Sequence, residues 1–125
     1  MKVIVDLDPR YNEVIEKFAR FICKEYSILP RHILIAEYDL EGSNGMCIDD
    51  DLEKGIFIIL VNYNRDLSQV FTTVAHEMIH VKQYMTQNLG YHLDKYKDTD
   101  YGDSWWEREA FENAVPLVEK FAKNL

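Results

Sequence analysis

The run His76-Glu77-Met78-Ile79-His80 places two imidazoles four positions apart, with a carboxylate directly after the first. On a helix, positions i and i+4 lie one turn apart on the same face, so both rings can reach a single ion. Glu77 projects roughly 100° away from His76, toward a water held on that ion rather than toward the ion itself. Zinc in such a place acidifies its water toward a pKa of ~7. A neighbouring carboxylate can then take the proton as the water attacks a carbonyl, and hand it to the leaving amine. The spacing therefore predicts one zinc ion on His76 and His80, with Glu77 as general base. The bland alternative is an ordinary helix carrying two stray histidines, and periodicity weighs against it. At roughly 100° per residue, Phe71, Val74, Met78, Val81 and Met85 gather on one side. The histidines fall nearly opposite, in line with Gln69, Gln83 and Gln87. They are expected to face a cleft or solvent, not the core.

A catalytic zinc usually has three protein ligands and one open position. The metzincin extension is absent, since Gln83 and Thr86 stand where its glycine and third histidine belong. The remaining candidates are His92, the aspartates after it, and the carboxylates of Trp105-Trp106-Glu107-Arg108-Glu109-Ala110. Ser104 reads as a helix N-cap, and Glu107, three residues on, completes a capping box. Glu109 shares a helical face with Asn113, opposite Phe111, Ala114, Val118 and Phe121. Glu107 points roughly 160° from Glu109, so one regular helix cannot offer both to the same ion.

On His76-Glu77-Met78-Ile79-His80-Val81-Lys82-Gln83 and Trp106-Glu107-Arg108-Glu109-Ala110, the sequence resembles the gluzincin-type metallopeptidases. It is most similar to their small, single-domain prokaryotic and phage-encoded members, over about half the chain. The resemblance implies a third ligand from a following helix, at the Glu directly before an Ala, which is Glu109 here. It also implies peptide-bond hydrolysis. The Asp that such enzymes often carry four residues later is matched by Asn113, a candidate hydrogen-bond partner for a ligand histidine. The related SprT-like group uses a later histidine, which makes His92 the alternative ligand alongside Glu107. In the resembling enzymes a strand near the cleft pairs with an extended peptide.

Hydrolysis also needs a donor for the tetrahedral oxyanion. Tyr84, one turn after His80, and Tyr91, Tyr96 and Tyr101 in the following loop are candidates, each also suited to covering the core with a wet hydroxyl. Asp98-Thr99-Asp100-Tyr101-Gly102-Asp103 faintly resembles a calcium loop, but its glycine stands at the fifth position instead of the sixth. It reads as a solvated turn.

The elements that must position these groups follow from pattern. Lys2 to Leu7 reads as a short strand ended by Asp8-Pro9. Val14, Ile15, Phe18, Phe21 and Ile22 mark an amphipathic helix over 11–26. His32 to Tyr38 reads as a strand, Met46 to Asp49 as a short one, and Gly55 to Asn62 as a buried central one. A long helix is expected from about Leu67 to Asn88, ended by Gly90, then a loop over 89–104, then a last helix from Ser104 to Lys123 that Pro116 should kink or split. The fold class expected is α+β. An N-terminal helix and a three- or four-stranded, mostly antiparallel sheet would carry the motif helix and a C-terminal helix in a minimal zincin-like fold.

The 125 residues suit one domain, 1–125, large enough to bury a core without disulfides. Two cysteines without metal-ligand spacing suggest free thiols in a reducing, cytoplasmic setting. Asp6 and Asp8 interrupt the N-terminal apolar run before a signal sequence could form. No run approaches the roughly 18 apolar residues of a membrane span. A net charge of −8 argues against a nucleic-acid partner. A zinc metallopeptidase acting on peptide or protein substrates is therefore the leading expectation. A non-catalytic zinc-binding structural or partner-binding domain, or a zinc hydrolase of non-peptide amides or esters, are the alternatives.

Overall fold

A computed structural model describes residues 1–95 and 104–125. Strand β1 (Lys2–Asp6) leads into helix α1 (Asn12–Glu25), followed by β2 (His32–Tyr38), β3 (Gly45–Asp51) and β4 (Ile56–Asn62). Helices α2 (Leu67–Thr86), α3 (Leu89–Lys95) and α4 (Trp105–Lys123) complete the chain. The class is α+β in a zincin-like arrangement, with α2 carrying the two-histidine motif.

The four strands form one sheet in the order β1-β2-β4-β3. Pairs β1–β2 and β2–β4 are parallel and only β3–β4 is antiparallel, with a bulge at Asp49/Asp51. The expectation of a mostly antiparallel sheet is therefore corrected. A strand also precedes the first helix, so the chain does not open with a helix. Both differences have one cause. Helix α1 serves as the crossover between β1 and β2, and a crossover is what parallel neighbours require. Strand β3 then passes outside the position that β4 fills, so β2 never pairs with its successor. The unbroken apolar run of β4 fits its place between two neighbours.

Helices α1 and α2 cover one face of the sheet, and α4 packs on α2. Val3, Ile33 and Phe57 lie side by side on the covered face, all buried with Ile35 and Ile59. On α1 the buried stripe is Ile15, Phe18, Ala19, Ile22 and Cys23. The opposite sheet face presents the row Ile4, Leu34, Ile58 and Ile48. Both cysteines are free.

Asp66 caps α2: its side chain accepts from the Gln69 N–H at 2.8 Å, while the Gln69 side chain accepts from the Asp66 N–H at 3.0 Å. The helix ends at Thr86, with Asn88 in the left-handed region, and Gly90 lies inside α3. Part of the expected 89–104 loop is thus helical. Helix α4 runs unbroken through Pro116, which sits on its exposed side. Glu112, whose carbonyl a proline at 116 cannot serve, is likewise exposed. The buried stripe of α4 is Trp106, Ala110, Ala114, Leu117 and Phe121. It is rotated by about one residue from the expected stripe, and Phe111 is 69% exposed.

Candidate metal centre

Helix α2 is packed on the sheet by one side and by α4 on the other, so its histidine side is not a solvent face. His80 and Glu77 are 7% and 5% exposed, and His76 is half-buried. The rotation of α4 decides which carboxylate meets them. With Ala110 and Ala114 against α2, Glu107, one turn before Ala110, points at the histidines. Its Oε1 lies 2.6 Å from His80 Nε2 and its Oε2 3.5 Å from His76 Nε2. One ligand atom from each of His76, His80 and Glu107 falls within 4.8 Å of the other two. Tetrahedral zinc with ligand bonds of ~2.0–2.1 Å holds its ligand atoms ~3.3 Å apart, so the donor set suits one metal ion. The cluster is spaced as HExxH plus a downstream Glu and is consistent with a gluzincin-type zinc site.

The carboxylate brought to the histidines is thus Glu107 and not the expected Glu109. Glu109 Oε1 instead accepts from Lys82 Nζ at 3.1 Å and from Gln83 Nε2 at 2.9 Å, on the other flank of α4. Glu107, in turn, is not spent on a capping box, and Ser104 makes no side-chain capping bond. Asn113 also misses its expected role: its amide donates to the main-chain oxygen of Glu109 at 2.8 Å. His92 stacks edge-on with Tyr91 and Trp105 and is outside the cluster. Tyr84 does line the cavity beside His80. Tyr101, with Tyr96 and the Asp98–Asp103 turn, lies outside the described residues.

The residue that sequence reasoning undervalued is Gln83, which is fully buried. Its Oε1 meets His80 Nδ1 at 2.7 Å, and its Nε2 also donates to the Trp106 carbonyl at 2.9 Å. The available signal is its position, three residues after His80 on the same helical face. Gly45, the first residue of β3, is a second such residue. A side chain there would collide with Thr73 and come 3.3 Å from Glu77 Cγ. The missing side chain lets β3 approach the base. The loop leading into it is held by Asn62, whose amide donates to the Ser43 carbonyl at 2.7 Å and accepts from the Leu40 and Tyr63 N–H groups.

Charge and burial oppose one another here. Burial pushes the Glu77 carboxyl above the ordinary carboxylate range, against the pull of His80 and His76. For His80, burial disfavours the charged ring, but Glu107, Glu77 and Gln83 outweigh it and the pKa rises. Burial also works against the charge on Glu107, yet its bonds to His76 and His80 bring it down to about 2. Glu77 Oε1 stands 3.9 Å from His80 Nε2. It is beside the donor set without belonging to it, as a base requires.

The cleft extends to both sides of the cluster. One cavity of about 260 Å³ runs past His80 toward Tyr84, Leu89 and Trp106. Another of about 440 Å³ runs past His76 toward Thr72, Phe111 and Val115. Gly45, His76, Glu77 and Glu107 line both. No described helix is long and apolar enough to cross a membrane. Neither a protein-family model nor a curated protein matches this chain.

Proposed function

We propose that this chain is a zinc-dependent metallopeptidase. The observation that carries the reading is the convergence of His76, His80 and Glu107 beside the buried carboxylate of Glu77, in a cleft open on both sides. The two-nitrogen, one-carboxylate donor set suits zinc. Zinc, when bound, supplies Lewis acidity that acidifies water and polarises a scissile carbonyl.

His76, His80 and Glu107 would hold the ion, and Glu77 would do the proton work. Its burial-raised pKa brings it nearer the operating pH, where a general base both accepts and returns a proton well. It takes a proton from the attacking water and delivers it to the departing amine nitrogen. Tyr84 is the described candidate for a donor to the oxyanion.

An extended peptide is the substrate that best fits the surroundings. Strand β3 is the edge of the sheet, and its Gly45 to Cys47 stretch lines the cleft. Such an edge offers main-chain groups for pairing with a strand-like ligand. A non-catalytic zinc domain would be favoured by a fourth protein ligand closing the site, for which His92 and Glu109 are the candidates by sequence. Both lie elsewhere: Glu109 is held by Lys82 and Gln83, and His92 stacks with Tyr91 and Trp105.

The test is cleavage of an unfolded protein or peptide library by zinc-loaded protein. Glu77→Gln is expected to lower the rate by ~100-fold or more while zinc content per molecule stays at the wild-type level. Undiminished cleavage by that variant would refute the mechanism. Cleavage by neither protein, with zinc bound to both, would favour the non-catalytic domain.

A further inference from the structure

We infer that Glu109 and Gln83 form a positioning relay that fixes which nitrogen of His80 is free for the metal. The inference rests on the proposed metal site and extends it to two residues that do not touch the ion.

A neutral imidazole carries its proton on either Nδ1 or Nε2, and only the bare nitrogen can ligate. The choice at His80 is made by Gln83. A glutamine amide has one accepting and one donating end, and both ends are committed here. The Nε2 end lies 2.9 Å from the Trp106 carbonyl and 2.9 Å from Glu109 Oε1. Both of those groups only accept. Turning the amide over would bring its oxygen against two other oxygens, in a place where Gln83 has no access to water. The NH₂ group must therefore point at α4, which leaves Oε1 toward His80. At 2.7 Å from Nδ1, that oxygen requires an N–H on Nδ1. His80 Nε2, the atom that faces Glu107 and the donor set, is then the one left to ligate.

Glu109 is the outer anchor of this chain. Lys82 holds it in place from the preceding position of α2, with Nζ 3.1 Å from the same oxygen that Gln83 uses. The relay thus runs from a half-buried ion pair through a buried amide to a ligand ring. It crosses from α4 to α2, so the ring of His80 is oriented by groups of both helices. Glu107 and Glu109, two residues apart on α4, divide the work: one completes the donor set and the other sets the ring opposite it.

The probe is zinc alone, with affinity measured by chelator competition at fixed neutral pH. The ring is read by nitrogen-15 and proton NMR of His80 in zinc-loaded protein. Wild type is expected to show a slowly exchanging Nδ1–H. Gln83→Met, which keeps length and burial, should lose ~10- to 100-fold in zinc affinity and the protected Nδ1–H with it. Gln83→Glu should lose comparably, because a carboxylate at position 83 faces the Glu109 carboxylate. Adding Glu109→Gln should restore part of the loss, since the new amide at position 109 can then donate to the carboxylate at position 83 while the Trp106 carbonyl still opposes it. That recovery is a coupling that independent structural roles would not give.

Zinc affinity within two-fold of wild type in Gln83→Met, with only the melting temperature lowered, would overturn the relay. So would a Gln83→Glu defect that the second change leaves untouched. Should Gln83→Met fail to fold, the Gln83→Glu pair decides alone. If wild type binds no zinc, the metal site fails independently of the relay. Exchange of the His80 Nδ1–H in metal-free protein then decides: slow in wild type and fast in Gln83→Met if the relay holds, the same in both if it fails.

Discussion

The two ends of the α2–α4 interface are built on opposite principles. Where the N-terminal part of α2 meets the C-terminal part of α4, the contact is aromatic. Phe121 lies 6.1 Å from Phe71 of α2, ring centre to ring centre, and the cluster continues onto α1, with Phe18 and Phe21 4.9 Å and 5.4 Å from Phe121. At the other end the same helices meet through His80, Gln83, Glu107 and Glu109, joined by hydrogen bonds of fixed direction. The first end is non-directional: Phe18 and Phe71 also touch, 5.1 Å apart, so the cluster does not rest on a single geometry. The second is a chain of donors and acceptors in which reversing any one group breaks the bonds on both sides of it. Stability is therefore concentrated at one end and chemistry at the other, and the two can be perturbed separately.

The largest effect that would test this division is at the carboxylates. Glu107→Gln should cost more zinc affinity than the ~100-fold ceiling typical of outer partners. Glu109→Gln should stay within ~10-fold, since an amide at position 109 can still accept from Gln83. Chelator competition on the two variants compares them directly. The reverse order would return the third ligand to Glu109. Next in size, Phe121→Ala should destabilise the fold by about 3 kcal/mol, as large-to-small changes at buried rings do. The denaturant midpoint measures it, and zinc affinity of the folded fraction should not move. A parallel loss of zinc binding would show that the two ends are mechanically coupled.

The smallest effect is a pH trend. His80 titrates above its ordinary 6.5 in the metal-free fold. Its contribution is therefore complete below about that pH and is lost as pH rises through the raised value. Glu77, also raised, disfavours the fold increasingly as pH climbs above 4.5. The depressed pKa of Glu107 has the other sign, with its contribution present above 4.5 and lost as pH falls toward about 2. As pH rises above about 6.5 the metal-free protein should thus lose stability. Zinc binding requires His80 deprotonated and gains over the same interval. The melting-temperature difference between zinc-loaded and chelated protein should widen with pH. A gap that narrows would contradict the ionic pairing at the cluster.

How far the molecule could be read in advance divides along similar lines. His76, Glu77 and His80 were legible because their relation is local: a helix fixes i and i+4 whatever surrounds it. The third ligand was not, because it depends on the rotation of α4 about its own axis. Counting apolar character placed Phe111 inward. Close approach of two helices favoured Ala110 and Ala114 there and sent Phe111 to the rim, 4.8 Å from the His76 ring. That turn of about one residue exchanges Glu109 for Glu107. The strand positions were largely legible from β-branched runs and turn residues. Their pairing was not, because skipping from β2 to β4 is a long-range choice that no segment records.

The edge strand β3 has a consequence for how the molecule behaves among copies of itself. A free edge is a template for any extended chain, including an identical one. Here the Gly45 to Cys47 end lies open beside the cleft, while the other end carries Asp49, Asp50 and Asp51 in succession. At neutral pH those carboxylates repel a second strand of the same kind, and a net charge of −8 adds to the repulsion. The guard weakens first at Asp49, whose carboxyl is raised by burial and by Asp51 and Asp50. Acidification therefore lifts the barrier to strand-to-strand aggregation from the bulge inward.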